Sequence, residues 1–130
     1  MPIPLLLTLG VHMAAVAFWL LTSLVLGFGQ GPAYSARMFR PQMVAATLAV
    51  FSGGGLWSML HPGGFGRPEM VLAAGAVLAI AAAGVQGALV GGQVRRLPDV
   101  EAGAKVIRGQ KIATVLLALA LACMLIARHV

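Results

Sequence analysis

The sequence predicts an all-α integral membrane protein, a bundle of four transmembrane helices with both termini on the outer side of the membrane. Of its 130 residues, 60% are hydrophobic and only 9% are charged, whereas soluble domains carry about 25% charged residues. Four apolar stretches are close to or above the roughly 20 residues that cross a bilayer. The connections between them are short and rich in glycine and proline. We therefore expect residues 1–130 to form one transmembrane domain with no soluble part.

The helix boundaries are predicted from the positions of proline and glycine. Pro4 and Pro41 suit the first turns of helices 1 and 2, where backbone donors lack partners within the helix. Glycine and proline at positions 62–68 predict a tight turn before helix 3. Pro98 interrupts the chain before helix 4, which ends near Arg128. The predicted helices span about residues 4–28, 41–60, 69–94 and 106–128.

The basic residues predict the orientation of the bundle. The formal net charge is +6, and most of the nine Lys and Arg residues lie in the first and third connections. Those in the two connections are Arg37, Arg40, Arg95, Arg96, Lys105, Arg108 and Lys111. Because Lys and Arg concentrate in cytoplasmic loops, we expect the termini and the second connection to be periplasmic. The alanine- and glycine-rich composition is typical of a GC-rich bacterial genome, and we expect the protein in the bacterial inner membrane. This topology explains the excess of basic residues, so no nucleic acid is needed to account for it. The lipid bilayer is the predicted partner of the protein.

Helix 3 carries small residues at successive steps of four. They are Gly75, Ala79, Ala83, Gly87 and Gly91. Lipid gives helices no hydrophobic reason to associate, so small residues mark the places where helices pack closely. We expect this stripe to pack against another helix. That helix can belong to the same chain, to another membrane subunit or to a second copy of the chain.

The candidate ligands fall in the predicted outer half of the bundle. His12 lies inside helix 1, and His61 lies at the outer end of helix 2. Imidazole and thioether groups together suit copper, particularly Cu(I), so Met13 and Met59 are supporting candidates. A haem with His12 as a ligand is the alternative. In a third interpretation, His12 is neutral and bonds a Ser, Thr, Gln or carbonyl group of a neighbouring helix.

Two further features of the apolar helices bear on a cofactor. Three consecutive glycines, residues 53–55, weaken helix 2 because each costs up to about 1 kcal/mol relative to alanine. They predict either a close helix contact or local bend, or room for a flat ligand such as a porphyrin or quinone. Gln86 lies near the middle of helix 3 and shares a face with Gln93. We expect Gln86 to form a hydrogen bond to another helix.

Conventional catalytic groups are not evident in the sequence. The three acidic residues, Glu69, Asp99 and Glu101, all lie near the predicted interfaces. A proton-driven exporter needs a carboxylate at mid-membrane depth, and none is present. The sequence also shows no paired carboxylates, no nucleophile with an evident base and no loop for binding phosphate. We therefore single out no catalytic residue.

The segment "HMAAVAFW" places His12 and Trp19 two turns apart on one face of helix 1. With a glycine-rich helix 2 and "GGQVRRL" at the end of helix 3, it resembles the four-helix membrane domain of the CopD-type copper-resistance proteins. More distantly, it is similar to the HemJ-type protoporphyrinogen oxidases. The resemblance implies haem or copper near the periplasmic face, with His12 as a ligand and Trp19 beside it. It also marks a difference, because Gln86 stands about where those families carry a histidine.

These observations lead to two hypotheses from different functional classes. The first, which we favour, is an accessory subunit of a larger bacterial bioenergetic membrane complex, in which helix faces are the docking surfaces. The second is a CopD- or HemJ-like protein that binds haem or copper through His12, with His61 and Trp19 in support.

Overall fold

The computed structural model describes residues 2–130, and it shows a bundle of four long helices. Helix α3 continues into one π-helical segment and then a short 3₁₀ turn at Val94–Arg96. The helices are α1 at Ile3–Phe28, α2 at Pro32–Leu60, α3 at Arg67–Val85 with its π-helical segment at Gln86–Gly91, and α4 at Val100–Ala127. All four are long and apolar enough to cross a membrane. The predicted fold class, an all-α multi-pass membrane protein with a four-helix bundle, is therefore confirmed.

Two helices begin earlier than the sequence predicts. Helix α2 starts at Pro32 rather than near residue 41, and it continues through Pro41. Helix α4 starts at Val100 rather than near residue 106, because Asp99 caps it by accepting a hydrogen bond of 3.0 Å from the backbone N–H of Glu101. With 29 residues, α2 is about 43 Å long, which exceeds the roughly 30 Å of a hydrocarbon core. Both helices therefore extend beyond the bilayer at the same end of the bundle.

The bundle has two different ends. The α1–α2 and α3–α4 connections lie at one end, together with the seven Lys and Arg residues named above, and we call it the basic end. The termini and the α2–α3 connection, residues 61–66, lie at the other end. Each connection is at most six residues long in this chain, so almost all of the structure belongs to the helices.

The core of the bundle consists mostly of alanine around one large aromatic ring. Trp19 of α1 is only 1% exposed and is the largest buried side chain. The alanines packed around it are Ala15, Ala45, Ala46, Ala49, Ala82 and Ala113. Helix α1 packs mainly on α2, and α3 packs mainly on α4. Small side chains allow these backbones to approach closely, which is how helices gain packing contacts within lipid.

The small residues predicted as a stripe on α3 do not all point the same way. Gly75 is buried, and a methyl group added to it would lie 3.2 Å from the carbonyl oxygen of Ala120 on α4. Ala79 and Ala83 are half-buried beside the alanine core, whereas Gly87 is exposed with open space around it. In an α-helix each step of four residues rotates a position by about 40°, so Gly87 has turned by about 120° from Gly75.

Candidate functional site

The buried polar side chains gather into one hydrogen-bonded group, which we call the polar cluster. Its members are all at most 1% exposed, and every one of the four helices contributes at least one of them. They are Trp19, Ser23, Ser35, Gln42, Gln86 and Gln110. The cluster lies in the half of the bundle nearer the basic end. All six side chains are neutral, which suits a region of low dielectric where an unpaired charge is costly.

Gln86 is the centre of the polar cluster. Its side-chain oxygen Oε1 accepts a hydrogen bond of 2.6 Å from Trp19 Nε1 on α1. Its amide nitrogen Nε2 donates to Ser23 Oγ at 2.7 Å and to Gln110 Oε1 at 3.0 Å. Gln86 also begins the π-helical segment, a local widening of the helix that is common at functional positions. One side chain thus joins α3 to both α1 and α4.

The other two glutamines connect α2 to the cluster. Gln110 Nε2 donates to Gln42 Oε1 at 3.0 Å and to Ser35 Oγ at 3.3 Å, and both acceptors belong to α2. Gln42 Nε2 donates in turn to Ser23 Oγ and to Thr22 Oγ1, both at 3.3 Å. Within residues 2–130, no buried side-chain nitrogen or oxygen lacks a hydrogen-bond partner. The cluster therefore joins all four helices through bonds between its own side chains.

The imidazole of His12 is buried and bonded to α2. Its Nδ1 atom lies 3.0 Å from the carbonyl oxygen of Ala49 and 3.1 Å from Ser52 Oγ. Because a carbonyl oxygen can only accept, Nδ1 carries the proton and donates it. In the neutral ring Nε2 then keeps a free lone pair. The arrangement matches the interpretation in which His12 is a neutral hydrogen-bonding residue, and it also leaves one ring nitrogen able to bind a ligand.

The glycine-rich part of α2 accommodates this imidazole. A methyl group placed on Gly53 would lie only 3.1 Å from His12 Cε1, so a side chain at this position would compete with the ring. Gly55 faces Thr8 more loosely, with 3.5 Å to its methyl carbon, and Gly54 faces open space. Of the two alternatives for these glycines, the structure shows the close helix contact, and the ring beside Gly53 belongs to the protein itself.

His61 lies in the turn between α2 and α3 and joins it to the start of α3. Its Nδ1 atom lies 2.8 Å from Glu69 Oε1, and its ring is 6.0 Å from that of Trp57. The other carboxylate oxygen of Glu69 accepts a hydrogen bond of 3.0 Å from the backbone N–H of Gly66. Glu69 therefore fixes the start of α3 and holds the end of α2 to it. No hydrogen bond links His61 to His12 in the part of the chain that the structure describes.

The predicted sulfur ligands are not gathered around His12. Met13 is 59% exposed and Met59 is 44% exposed, so both thioethers lie on the outside of the bundle. Trp19 shares the inner face of α1 with His12, but its indole N–H is bonded to Gln86. Among residues 2–130, no three His, Cys, Asp or Glu side chains form a group that could hold a metal ion. The two thioethers thus face outward, while His12 bonds the α2 backbone and His61 bonds Glu69.

Sequence reasoning identified Gln86 but missed the two other glutamines of the polar cluster, Gln42 and Gln110. Gln42 follows Pro41 and Gln110 precedes Lys111, so both look like residues at a membrane interface. The available signal was that Gln42, Gln86 and Gln110 all lie in long helices, where an amide in lipid needs a partner on another helix. Ser35 lay in the predicted first loop, and it became a core residue because α2 starts earlier than expected.

No family model matches this chain, and no curated protein or solved structure matches it either. The resemblance to the CopD- and HemJ-type proteins therefore stays a prediction from His12 and Trp19. The arguments for a function have to come from the geometry of the bundle itself.

Proposed function

We propose that the protein is a non-catalytic accessory subunit of a larger complex in a bacterial inner membrane, with both termini in the periplasm. On this proposal the interior of the bundle serves to hold its four helices together, and the lipid-facing surfaces of the helices dock against partner subunits. Three features support this role: the internally bonded polar cluster, the outer face of α3 and the very short connections between the helices.

The observation that carries the proposal is the outer face of α3. Beside its contact with α4, this helix turns a second set of small residues outward, and all of them are exposed. They are Ala81, Gly84, Gly87 and Ala88. A methyl group added to Gly84 or Gly87 would meet nothing within 4 Å. Small residues at three- and four-residue steps allow a second transmembrane helix to approach closely, so this face is suited to a helix of a partner.

The interior supports the same proposal. The polar cluster is neutral and bonds to itself through Gln42, Gln86 and Gln110, so its chemistry is already used in stabilising the bundle. His12 likewise donates its ring N–H to a backbone carbonyl of α2. Since the connections are at most six residues long, the surface available to a partner consists almost entirely of helix faces.

Substitution of the exposed glycines tests the proposal directly. A tagged chain would be extracted from native membranes in a mild detergent, and the purified material would be separated by native electrophoresis. We expect the wild type to migrate as a complex of defined size with other subunits. Gly84→Leu should reduce the recovery of that complex at least about tenfold, because a branched side chain prevents close approach of a second helix.

Gly54→Leu on α2 is the matched control. Gly54 is also exposed, and a methyl group on it would also meet nothing within 4 Å, so both variants leave the bundle free of clashes. Gly54→Leu should retain the complex. The proposal is refuted if the wild type migrates alone, or if both variants lose the partner to the same extent. Recovery of a differently tagged copy of the same chain alone would instead show a homo-oligomer.

A second candidate function, binding of haem or copper at His12, rests on one specific observation. With Nδ1 donating to the Ala49 carbonyl, the ring is oriented by a backbone acceptor while Nε2 keeps its lone pair. Metal-binding histidines are commonly held in this way. A Soret band, or copper in a one-to-one ratio that disappears in His12→Ala, would favour this function. Colourless, metal-free protein would count against it.

A further inference from the structure

The basic end of the bundle contains a groove between the starts of α2 and α4. It has a volume of about 830 Å³, within the range of about 300–1,000 Å³ that is usual for small-molecule sites. Its walls are mainly apolar and include Pro32, Leu97, Val100 and Ile107, and Arg108 and Lys111 border it from α4. An apolar groove beside two cations suits an amphiphile that carries a negative charge.

One face of α4 connects this groove to the bilayer. Ala104, Arg108, Lys111 and Val115 follow one another at steps of three and four, so they lie on the same side of the helix. Lys111 immediately precedes the uncharged run 112–127, which puts its ammonium group at the level of lipid phosphates. Below it, Val115 and Leu119 are 55% and 50% exposed. The face therefore has an apolar groove above the cations and a lipid-facing apolar surface below them.

The positive charge at this end is not balanced within the protein. In the part of the chain that the structure describes, the only ion pair is His61–Glu69 at the opposite end. The Lys111 ammonium lies over the ring of Phe28, 5.4 Å from its centre. Asp99 also lines the groove and Glu101 lies close to it in sequence, so this end carries two carboxylates against seven Lys and Arg residues and keeps a net positive charge. Arg108 and Lys111 are exposed and form no salt bridge within residues 2–130, so both can pair with an anion from outside the chain.

We propose that this groove and the adjoining face of α4 bind one anionic phospholipid. The phosphate lies between Arg108 and Lys111, the head group occupies the groove, and an acyl chain runs along Val115 and Leu119. Basic pockets at membrane interfaces recognise lipid head groups in this manner. Anionic lipid is favoured over a soluble phosphate because the apolar face continues below the cations into the hydrocarbon.

Lipid retention by charge-matched variants tests the proposal. The protein would be incubated in bicelles that contain equal amounts of phosphatidylglycerol and phosphatidylcholine, and retained lipid would be identified by native mass spectrometry. We expect one phosphatidylglycerol per chain. Arg108→Gln with Lys111→Gln should weaken its binding about 25-fold, since each cation near a lipid surface contributes about a fivefold factor.

The control is Arg67→Gln with Arg128→Gln, which removes the same charge from the other end of the bundle and should leave retention unchanged. Arg108→Lys with Lys111→Arg keeps the charge and should restore binding, which excludes misfolding as the cause of the loss. Equal retention of the two lipids, or equal loss in the two double variants, would overturn the proposal. So would complete displacement of the lipid by millimolar glycerol phosphate, because soluble phosphate would then suffice.

Discussion

Replacing Gln86 with leucine gives the sharpest test of the polar cluster. The change keeps the approximate size of the side chain and a good helix former, but it removes three hydrogen bonds at once. Two of the three former partners retain other bonds. Ser23 Oγ still donates to the carbonyl of Trp19, and Gln110 Oε1 still accepts from Gln42 Nε2. Only the indole N–H of Trp19 loses its sole partner.

The expected loss of stability in Gln86→Leu depends on the indole N–H of Trp19, the one donor left without a partner. A buried donor that loses its partner costs about 1–3 kcal/mol, whereas hydrogen bonds between membrane helices average about 0.6 and reach about 1.7 kcal/mol. We therefore expect Gln86→Leu to lower the free energy of unfolding by about 1–3 kcal/mol. Trp19→Phe removes the indole N–H. Gln86→Leu should therefore lower the free energy of unfolding by about 1 kcal/mol less in the Trp19→Phe variant than in the wild type.

The measurement is a double-mutant cycle on Trp19 and Gln86. Unfolding would be driven by SDS in mixed micelles and followed by far-UV circular dichroism, which does not depend on the indole. Gln93→Leu is the control, because Gln93 is only half-buried and forms no side-chain hydrogen bond to the cluster. A coupling energy below about 0.3 kcal/mol, the usual error of additivity, would refute the reasoning. Equal losses for Gln86→Leu and Gln93→Leu would refute it as well.

Three other predictions concern packing, capping and the outer turn. Gly27→Ala should destabilise the bundle by about 1–3 kcal/mol, because the added methyl group lies 3.1 Å from the α4 backbone. Gly10→Ala, in open space, should leave the midpoint of thermal unfolding unchanged or raise it. Asp99→Ala should cost about 1 kcal/mol by removing the cap of α4, measured by the same unfolding assay. Glu69→Ala should speed hydrogen exchange at the Gly66 amide, which bonds its carboxylate, and should lower the free energy of unfolding by about 0.5–1 kcal/mol because α3 loses this cap.

The sequence predicted the fold because hydropathy alone determines how many helices cross lipid. It predicted the inner face of α1 as well, since the seven-residue spacing of His12 and Trp19 places both on one side of a helix. The start of α2 was predicted wrongly, because proline suits a first turn and costs about 3 kcal/mol inside a helix, yet the structure carries Pro41 in the interior of α2. The pairing of Gln86 with Trp19 depends on the rotation of α3 relative to α1, and no local pattern encodes that rotation.

Two surfaces remain for interactions once the interior is accounted for. The polar cluster and His12 use their donors on neighbouring helices, and we propose that contacts with other molecules are made by the outer face of α3 and the basic end of α4. These surfaces lie on different helices, and the changes that test them share no residue: Gly84→Leu alters shape without charge, whereas Arg108→Gln with Lys111→Gln alters charge without adding bulk. If Gly84→Leu alone separates the protein from its partners while lipid retention stays intact, docking and lipid binding are independent. If the charge variant also releases the partners, the bound lipid is part of the interface.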